Sequence, residues 1–344
     1  MIHGFTRRSF VAGATIALAA PAILRFARAA EPLLLRCSLD TAPSHGRNVA
    51  IADYLQKLEK ASNGAIQTKL FGSGQLFADL NVSKALIEGQ VEMACPGHWV
   101  LTGVVPDCDM FQLPVFYGQD ISVTHRATDG KAGAHISDEI DSKLRTHVLG
   151  KWLDLGYQNW YSTSKPINSL ADLRGMKIRS PGGAGISWRI QFWGAIPNTT
   201  AWPNVPLALS QGTFDGFVST DESVASAKLW EAAVKHSYAD HQFVGEYIPM
   251  VSNIFWRKLS PDLQNLMVSL WEQNIDAYRA SMFQRQIDAR KAMQSNGVSV
   301  VDASKDDLAD ARKKMMAAQA TLIKDSKLSP EIVKLATADI GSAA

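Results

Sequence analysis

From Pro261 to Ser295 the chain runs through 35 residues of helical pattern with no glycine, and its one proline stands at the first position. Ser260-Pro261-Asp262 is a helix start, with Ser as cap and Pro where the missing N–H costs nothing. At 1.5 Å per residue such a helix is roughly 50 Å long. One small lobe cannot accommodate it. The stretch predicts a brace lying across two lobes, and it fixes the frame for the rest of the chain.

Upstream, the pattern alternates. Leu33–Leu39 is a short apolar run that reads as a buried strand, and Arg47–Asn63 carries apolar residues at helical spacing until Asn63-Gly64 stops it. Ile66–Leu70 reads as a strand, Asp79–Glu88 as a helix and Val91–Ala94 as a strand. This rhythm predicts an α/β fold with a parallel, doubly wound sheet. Ligands of such sheets bind beyond the carboxyl ends of the strands. The loops there are Asp40–His45 and Pro96–Trp99. From about residue 150 a second series begins: extended Lys151–Leu155 and Gln158–Tyr161, a Ser169-capped turn, and a Met176–Arg179 strand. Helices are predicted over Ile186–Trp193, Asn204–Gln211 and Val224–Lys235, and a strand over Phe214–Val218. Ile248–Phe255 reads as a long strand returning to the first lobe. After the brace, Gly297–Val301 is a strand, and Asp306–Lys324 and Pro330–Ala338 are helices. The expected division is 31–155 with 250–344 as lobe I and 156–249 as lobe II.

The first thirty residues are a different object. Thr6-Arg7-Arg8-Ser9-Phe10-Val11 leads into an apolar run ending at Leu24, and Ala27-Arg28-Ala29 offers a small-x-small cleavage site. The run is about 14 residues, short of the ~20 that a bilayer core requires. The paired arginines with Phe two positions on read as a twin-arginine signal peptide. Periplasmic localisation is the expectation. The precursor's formal charge of +2 contains the four arginines of this segment; without them 31 positive side chains face 33 negative ones, a formal −2. That balance argues against a nucleic-acid partner. The three cysteines leave at least one free thiol; Cys95 and Cys108 either pair or remain buried apolar thiols.

The chain carries no HExxH, no GxSxG elbow, no Walker A loop and no GxGxxG after a strand. Gly182-Gly183-Ala184-Gly185 has the wrong spacing for a dinucleotide, and His236 with His241 is a poor metal pair. No catalytic residue, metal ligand or cofactor is assigned. The informative stretch is Asn168-Ser169-Leu170-Ala171-Asp172-Leu173-Arg174-Gly175-Met176-Lys177-Ile178-Arg179-Ser180-Pro181. Four further segments keep order and spacing with it: Phe71-Gly72-Ser73-Gly74-Gln75-Leu76, Ala85-Leu86-Ile87-Glu88-Gly89-Gln90-Val91-Glu92-Met93, Leu113-Pro114-Val115-Phe116, and Ala208-Leu209-Ser210-Gln211-Gly212-Thr213-Phe214-Asp215-Gly216. Together they resemble the solute-binding proteins of tripartite ATP-independent periplasmic (TRAP) transporters, over nearly all of the chain after residue 30.

The resemblance implies a two-lobe periplasmic binding protein fold. It also implies a receptor that captures a small organic acid between the lobes and delivers it to small and large membrane subunits, with no membrane contact of its own beyond that permease. Arg179 stands where the family pairs an arginine with the ligand carboxylate, and a guanidinium gives two parallel charge-assisted bonds to such a group. Trp202, twenty-three residues on, stands where the family often places a ring. Gln158, Asn159 and Ser219 stand at further contact positions; the second arginine and the asparagine of sialic-acid binders are missing there. His98 and Trp99 are first-lobe candidates, and His45 is a weaker one. The sequence 219–223 does not match the version of the family that holds a cation. Nine tryptophans, several near these positions, fit an aromatic monocarboxylate, and a short hydroxy or keto acid fits equally. One obvious cation disfavours a C4-dicarboxylate. A periplasmic enzyme and a sensor-associated binder remain the alternatives.

Overall fold

The computed structural model describes Met1 and residues 31–341. The export segment read from the sequence lies outside the described residues. Pro32 onward forms one compact unit of two lobes. Among the described residues no helix is long and apolar enough to cross a membrane.

The first lobe is built on a five-stranded sheet in the order Ile66–Phe71, Leu33–Ser38, Met93–Ala94, Met250–Ser252, Thr146–Val148. The second is built on six strands in the order Ser299–Asp302, His236–Ala239, Asn159–Ser162, Gly216–Ser219, Lys177–Ser180, Ile196–Thr199. Neither sheet is wholly parallel. Leu33–Ser38 pairs in parallel with both neighbours, as the βαβ rhythm predicts, but Met250–Ser252 runs antiparallel to Met93–Ala94 and Thr146–Val148. Asn159–Ser162 is likewise antiparallel to both of its neighbours. The reason is connectivity: these strands arrive from the other lobe, not through a local crossover helix. Leu153–Tyr157 and Val244–Tyr247 form an antiparallel pair of their own. Ser299–Asp302 joins the second sheet through His236–Ala239, so the chain does not stay wholly with the first lobe after residue 250.

The long helix is Pro261–Ser295, capped by Ser260 Oγ accepting from Leu263 N–H. It braces both lobes. Its first half meets the helix Gly46–Ala61: Tyr54 donates to the Met267 carbonyl at 3.0 Å and Tyr278 to Asp53 at 2.6 Å. Its second half meets the other lobe: Gln286 accepts from Glu222 N–H at 2.9 Å, and Arg290 pairs with Asp302 at 2.6 Å. Between them Arg279 holds Asp129 through two bonds and donates to the Trp152 carbonyl. Gly46 allows the close approach, since a Cβ there would lie 2.6 Å from Met282 Cε of the brace.

Other elements break where single helices or strands were expected. Val224–Lys235 divides into Asp221–Ser226 and Leu229–Ala232, because Lys228 takes a left-handed conformation at φ 49°. Ile248–Phe255 is a three-residue strand followed by a short helix, Asn253–Trp256, whose start is capped by Ser252. Asp306–Lys324 divides at Ala318 into Lys305–Ala317 and Gln319–Ser326. Helices Ile121–Thr128 and Lys131–Leu144 complete the first lobe.

Cys37, Cys95 and Cys108 are all free and fully buried. The Cys95–Cys108 pairing that the sequence left open is not made. Burial pushes the Cys37 thiol up to about 12, which makes it a poor nucleophile. A thiol reagent should therefore label none of the three in the folded protein and all three in denaturant. Reductant should leave the melting temperature unchanged.

Candidate functional site

A narrow cavity lies between the lobes. It opens beyond the ends of Leu33–Ser38 and Lys177–Ser180, where the strand rhythm places it. The second lobe supplies Arg179, Trp202 and Ser219, and Gln158 leads the strand Asn159–Ser162; the first supplies Asp40, Thr41, Asp79 and Trp99. Tyr247, at the end of its strand, also lines it.

Arg179 is 3% exposed. Its position follows from local sequence: the Ser169–Asp172 capping box ends in a tight turn at Gly175, which launches Lys177–Ser180 between two parallel neighbours. Its Nε donates to the Thr200 carbonyl at 2.9 Å and a terminal nitrogen to the Val218 carbonyl at 3.4 Å. These bonds fix the guanidinium but leave its charge uncompensated. No carboxylate among the described residues forms an ion pair with it. Burial pushes its pKa down to about 10, against the pull of Asp40 and Tyr247. The Trp202 ring covers it, with its centroid 5.5 Å from the guanidinium carbon. A buried, rigid, unpaired arginine under an aromatic ring is suited to a ligand anion.

The remaining sequence candidates divide between the cavity and the core. Gln158 lines the cavity and is 2% exposed, and its Nε2 has no protein partner. It approaches closely because residue 245 is glycine; a Cβ there would lie 2.6 Å from Gln158 Nε2. Asn159, the next residue, accepts from His241 N–H at 3.0 Å and is not among the lining residues. Ser219 pairs with Asn159 in register and lines the cavity. Trp99 lines it; His98 does not. His98 Nδ1 lies 2.8 Å from the Cys108 carbonyl, and its ring packs 4.1 Å from Phe111. Burial pushes the imidazole pKa down to about 3, so it is a neutral core group. Only Trp99 and Trp202 of the tryptophans line the cavity. Trp160 is bonded to Asp240 and Trp188 is stacked on Phe192, so the aromatic surroundings are thinner than the composition suggests.

The sequence did not single out Asp79 or Tyr247. Arg47, buried completely, lies between Asp40 at 2.5 Å and Asp79 at 2.7 Å, and its guanidinium sits 4.1 Å from the Tyr247 ring centroid. Burial opposes its charge, but Asp79, Tyr247 and Asp40 outweigh that and hold its pKa well above the ordinary arginine value. Burial likewise pushes the Asp79 carboxyl up, with Arg47 opposing.

The lobes are joined at both flanks of the cavity. On one, Glu222 accepts from Gly46 N–H at 2.8 Å, and His45 Nε2 lies 3.1 Å from Ser223 Oγ and 3.0 Å from Glu222. On the other, Asp109 accepts from Gly185 N–H at 2.8 Å, at the start of the helix Ala184–Phe192. The Ser223–His45 contact has the spacing of a nucleophile and base but not the protonation. His45 Nδ1 accepts from Arg47 N–H, so Nε2 carries the proton and faces Ser223 as a donor. Burial and the charges of Arg47 and Arg285 hold this imidazole well below its usual range, neutral.

The family model described as bacterial extracellular solute-binding protein, family 7, matches residues 40–325. The C4-dicarboxylate-binding periplasmic protein DctP of Rhodobacter capsulatus is 27% identical over 286 residues, which is 83% of each chain. Among solved structures, the sugar acid binding protein of Advenella mimigardefordensis in complex with galactonate superimposes with a TM-score of 0.85 at 20% identity, over 91% of this chain and 99% of that one. A TRAP periplasmic solute binding protein from Desulfovibrio salexigens with bound orotic acid gives 0.83 at 20% identity, over 90% and 99%.

Proposed function

Since the chain belongs to family 7 of the bacterial extracellular solute-binding proteins, the TRAP solute-binding class, we propose that it is a periplasmic receptor. It captures a small organic acid between its lobes and delivers it to the membrane subunits of a TRAP transporter. The observation that carries this reading is Arg179: a buried guanidinium facing the cavity, covered by Trp202 and paired with no carboxylate among the described residues. A ligand carboxylate completes it. Gln158 and Ser219 line the same cavity. Because the ligand touches both lobes, it favours the closed arrangement over the open one, and that difference in affinity drives closure. Membrane subunits that recognise the closed form then receive only loaded receptor. The relatives' names point the same way, toward small acids.

Family members are solute-binding transport proteins. The tautomer of His45 adds support for the same role here, since the His45–Ser223 contact beside the cavity lacks a base.

The test is a thermal-shift screen of the mature protein against organic acids, neutral sugars and amines. A ligand present at 100 times its Kd stabilises the folded state by about 2.7 kcal/mol, and Trp99 and Trp202 should report the same event by fluorescence. Shifts are expected from carboxylates alone. Shifts confined to sugars or amines, or steady conversion of a bound acid to product, would overturn the reading.

A further inference from the structure

The strand Leu153–Tyr157 leads from Thr146–Val148 of the first sheet to Asn159–Ser162 of the second, and Val244–Tyr247 leads back from His236–Ala239 to Met250–Ser252. Paired with each other, they form a ribbon that carries the chain between the lobes in both directions. We infer that this ribbon holds a site for one divalent metal ion of the zinc class, with His125, Asp154 and Glu246 as its ligands. None of the three lines the ligand cavity. The inference is independent of the reading of Arg179.

Asp154 and Glu246 stand opposite each other in the ribbon, and the register shifts between Gly245 and Glu246. A bulge of this kind re-aims a side chain. Two acidic residues directly opposite on adjacent strands cost stability when both are charged. Both are buried here, Glu246 completely. His125, on the helix Ile121–Thr128, reaches the same place, with Nε2 2.9 and 3.1 Å from the two Asp154 oxygens. The imidazole and the two carboxylates each offer a ligand atom, and these atoms lie within 4.8 Å of one another. One imidazole nitrogen with two carboxylate oxygens suits zinc and its neighbours, whereas calcium and magnesium prefer oxygen alone. The His125 side chain is 27% exposed, so an ion can reach the site from solvent.

The protein alone does not complete this group. Arg279 of the brace spends two short bonds, 2.7 and 2.9 Å, on Asp129 and keeps only long contacts of 3.7 Å to Asp154 and 3.5 Å to Glu246. Glu246 Oε1 also accepts from Thr128 Oγ1, at 3.4 Å. Glu246 Oε2 is enclosed and has no hydrogen-bond partner among the described residues. Burial pushes this carboxyl well above its usual range, so without an ion it holds a proton. The proton relieves the repulsion but leaves Oε2 orphaned, whether as donor or acceptor. A divalent ion displaces the proton, fills the lone pair and, together with Arg279, balances Asp129, Asp154 and Glu246. A second group, Asp107, His135 and Glu139, is less suited. Both Asp107 oxygens already accept from Ser329, and Glu139 accepts from Lys143.

The test strips the mature protein with a chelator and titrates it with zinc, read by competition with a chromophoric chelator and by thermal melts. One equivalent should bind and raise the melting temperature. Calcium and magnesium should bind about a hundred-fold more weakly or not at all. Glu246→Gln and His125→Ala should each weaken zinc by about ten-fold or more, since even partners that only orient a ligand are worth that much. Glu246→Gln keeps the size of the side chain and should melt no lower than wild type without zinc; His125→Ala changes a partly exposed residue and gives an independent measure. His135→Ala should bind zinc as wild type does. Absence of saturable zinc binding would mean that the proton, not a metal, completes Glu246, and the inference falls. It falls equally if zinc binding survives both variants, is lost in His135→Ala, or is matched by calcium.

Discussion

Arg179→Ala is expected to abolish acid binding and to leave the folded protein at least as stable as before. Two charge-assisted bonds from the guanidinium contribute about 1.5–3 kcal/mol each. Their loss weakens binding by roughly two to four orders of magnitude at 1.4 kcal/mol per decade. The stability half of the prediction follows from the apo state. In the unliganded fold the guanidinium is buried without a counter-charge, and its pKa is held down near 10 by burial. A base whose folded pKa lies below its unfolded value opposes folding at every pH below both, by about 1.4 kcal/mol for each tenfold weakening of proton binding. Removing the group removes that opposition, less the cost of the space left under Trp202 and of the freed Thr200 and Val218 carbonyls. Arg179→Met fills the space better and should melt no lower than wild type. Arg179→Lys keeps the charge but not the planar fork, so it should retain binding at least ten-fold weakened. Calorimetric titration with an acid found in the screen measures the first effect, and thermal melts without ligand measure the second. Normal affinity in Arg179→Ala would remove the basis of the assignment. A large drop in melting temperature would show that the arginine is structural.

The strand that carries Arg179 was legible in the sequence because what starts and stops it is local, while the residue itself was singled out by the resemblance to the family. The Ser169–Asp172 cap, the Gly175 turn and the Pro181 stop act within fourteen residues. The brace helix was legible for the same reason: a Ser-Pro start and no breaker. What was not legible depends on distant parts of the chain meeting. Asp79 opens a helix whose amphipathic pattern says nothing about Arg47, yet their pairing defines the first-lobe wall. Tyr247 sits on a strand whose partner, Leu153–Tyr157, lies far upstream, and sequence pattern does not reveal that register. Gln158 and Asn159 show the finest limit. Gln158 lines the cavity while Asn159 bonds the backbone of His241, and both placements depend on the distant segment 241–243 meeting this strand start. The tryptophan count misled for a related reason: a buried ring with its N–H bonded, such as Trp160, is as good a use of the residue as a ligand platform.

Arg47→Met should be the most destabilising single change near the site. The guanidinium is enclosed, bonds Asp40, Asp79, Thr41 and the Cys95 carbonyl, and lies over the Tyr247 ring. Removing one partner of a buried ionic cluster costs about 3–5 kcal/mol, because charges are stranded and the pair energy is lost with them. For a chain of this size that corresponds to a fall of roughly 5–10 °C in melting temperature. The pH dependence identifies the cause. Burial already raises the Asp79 carboxyl against the pull of Arg47, and without Arg47 its folded-state pKa rises further above the unfolded value. The folded variant then binds more protons than its unfolded chain as pH falls, so acid stabilises it relative to wild type. The deficit should be largest near pH 8 and shrink toward pH 5. Adding Asp79→Asn to Arg47→Met removes a stranded charge and should recover part of the loss at pH 8, a coupling that a double-mutant cycle measures. A deficit that stays constant from pH 8 to 5, with no coupling to Asp79, would mean that Arg47 stabilises the fold by packing against Tyr247 and not by balancing the acidic wall.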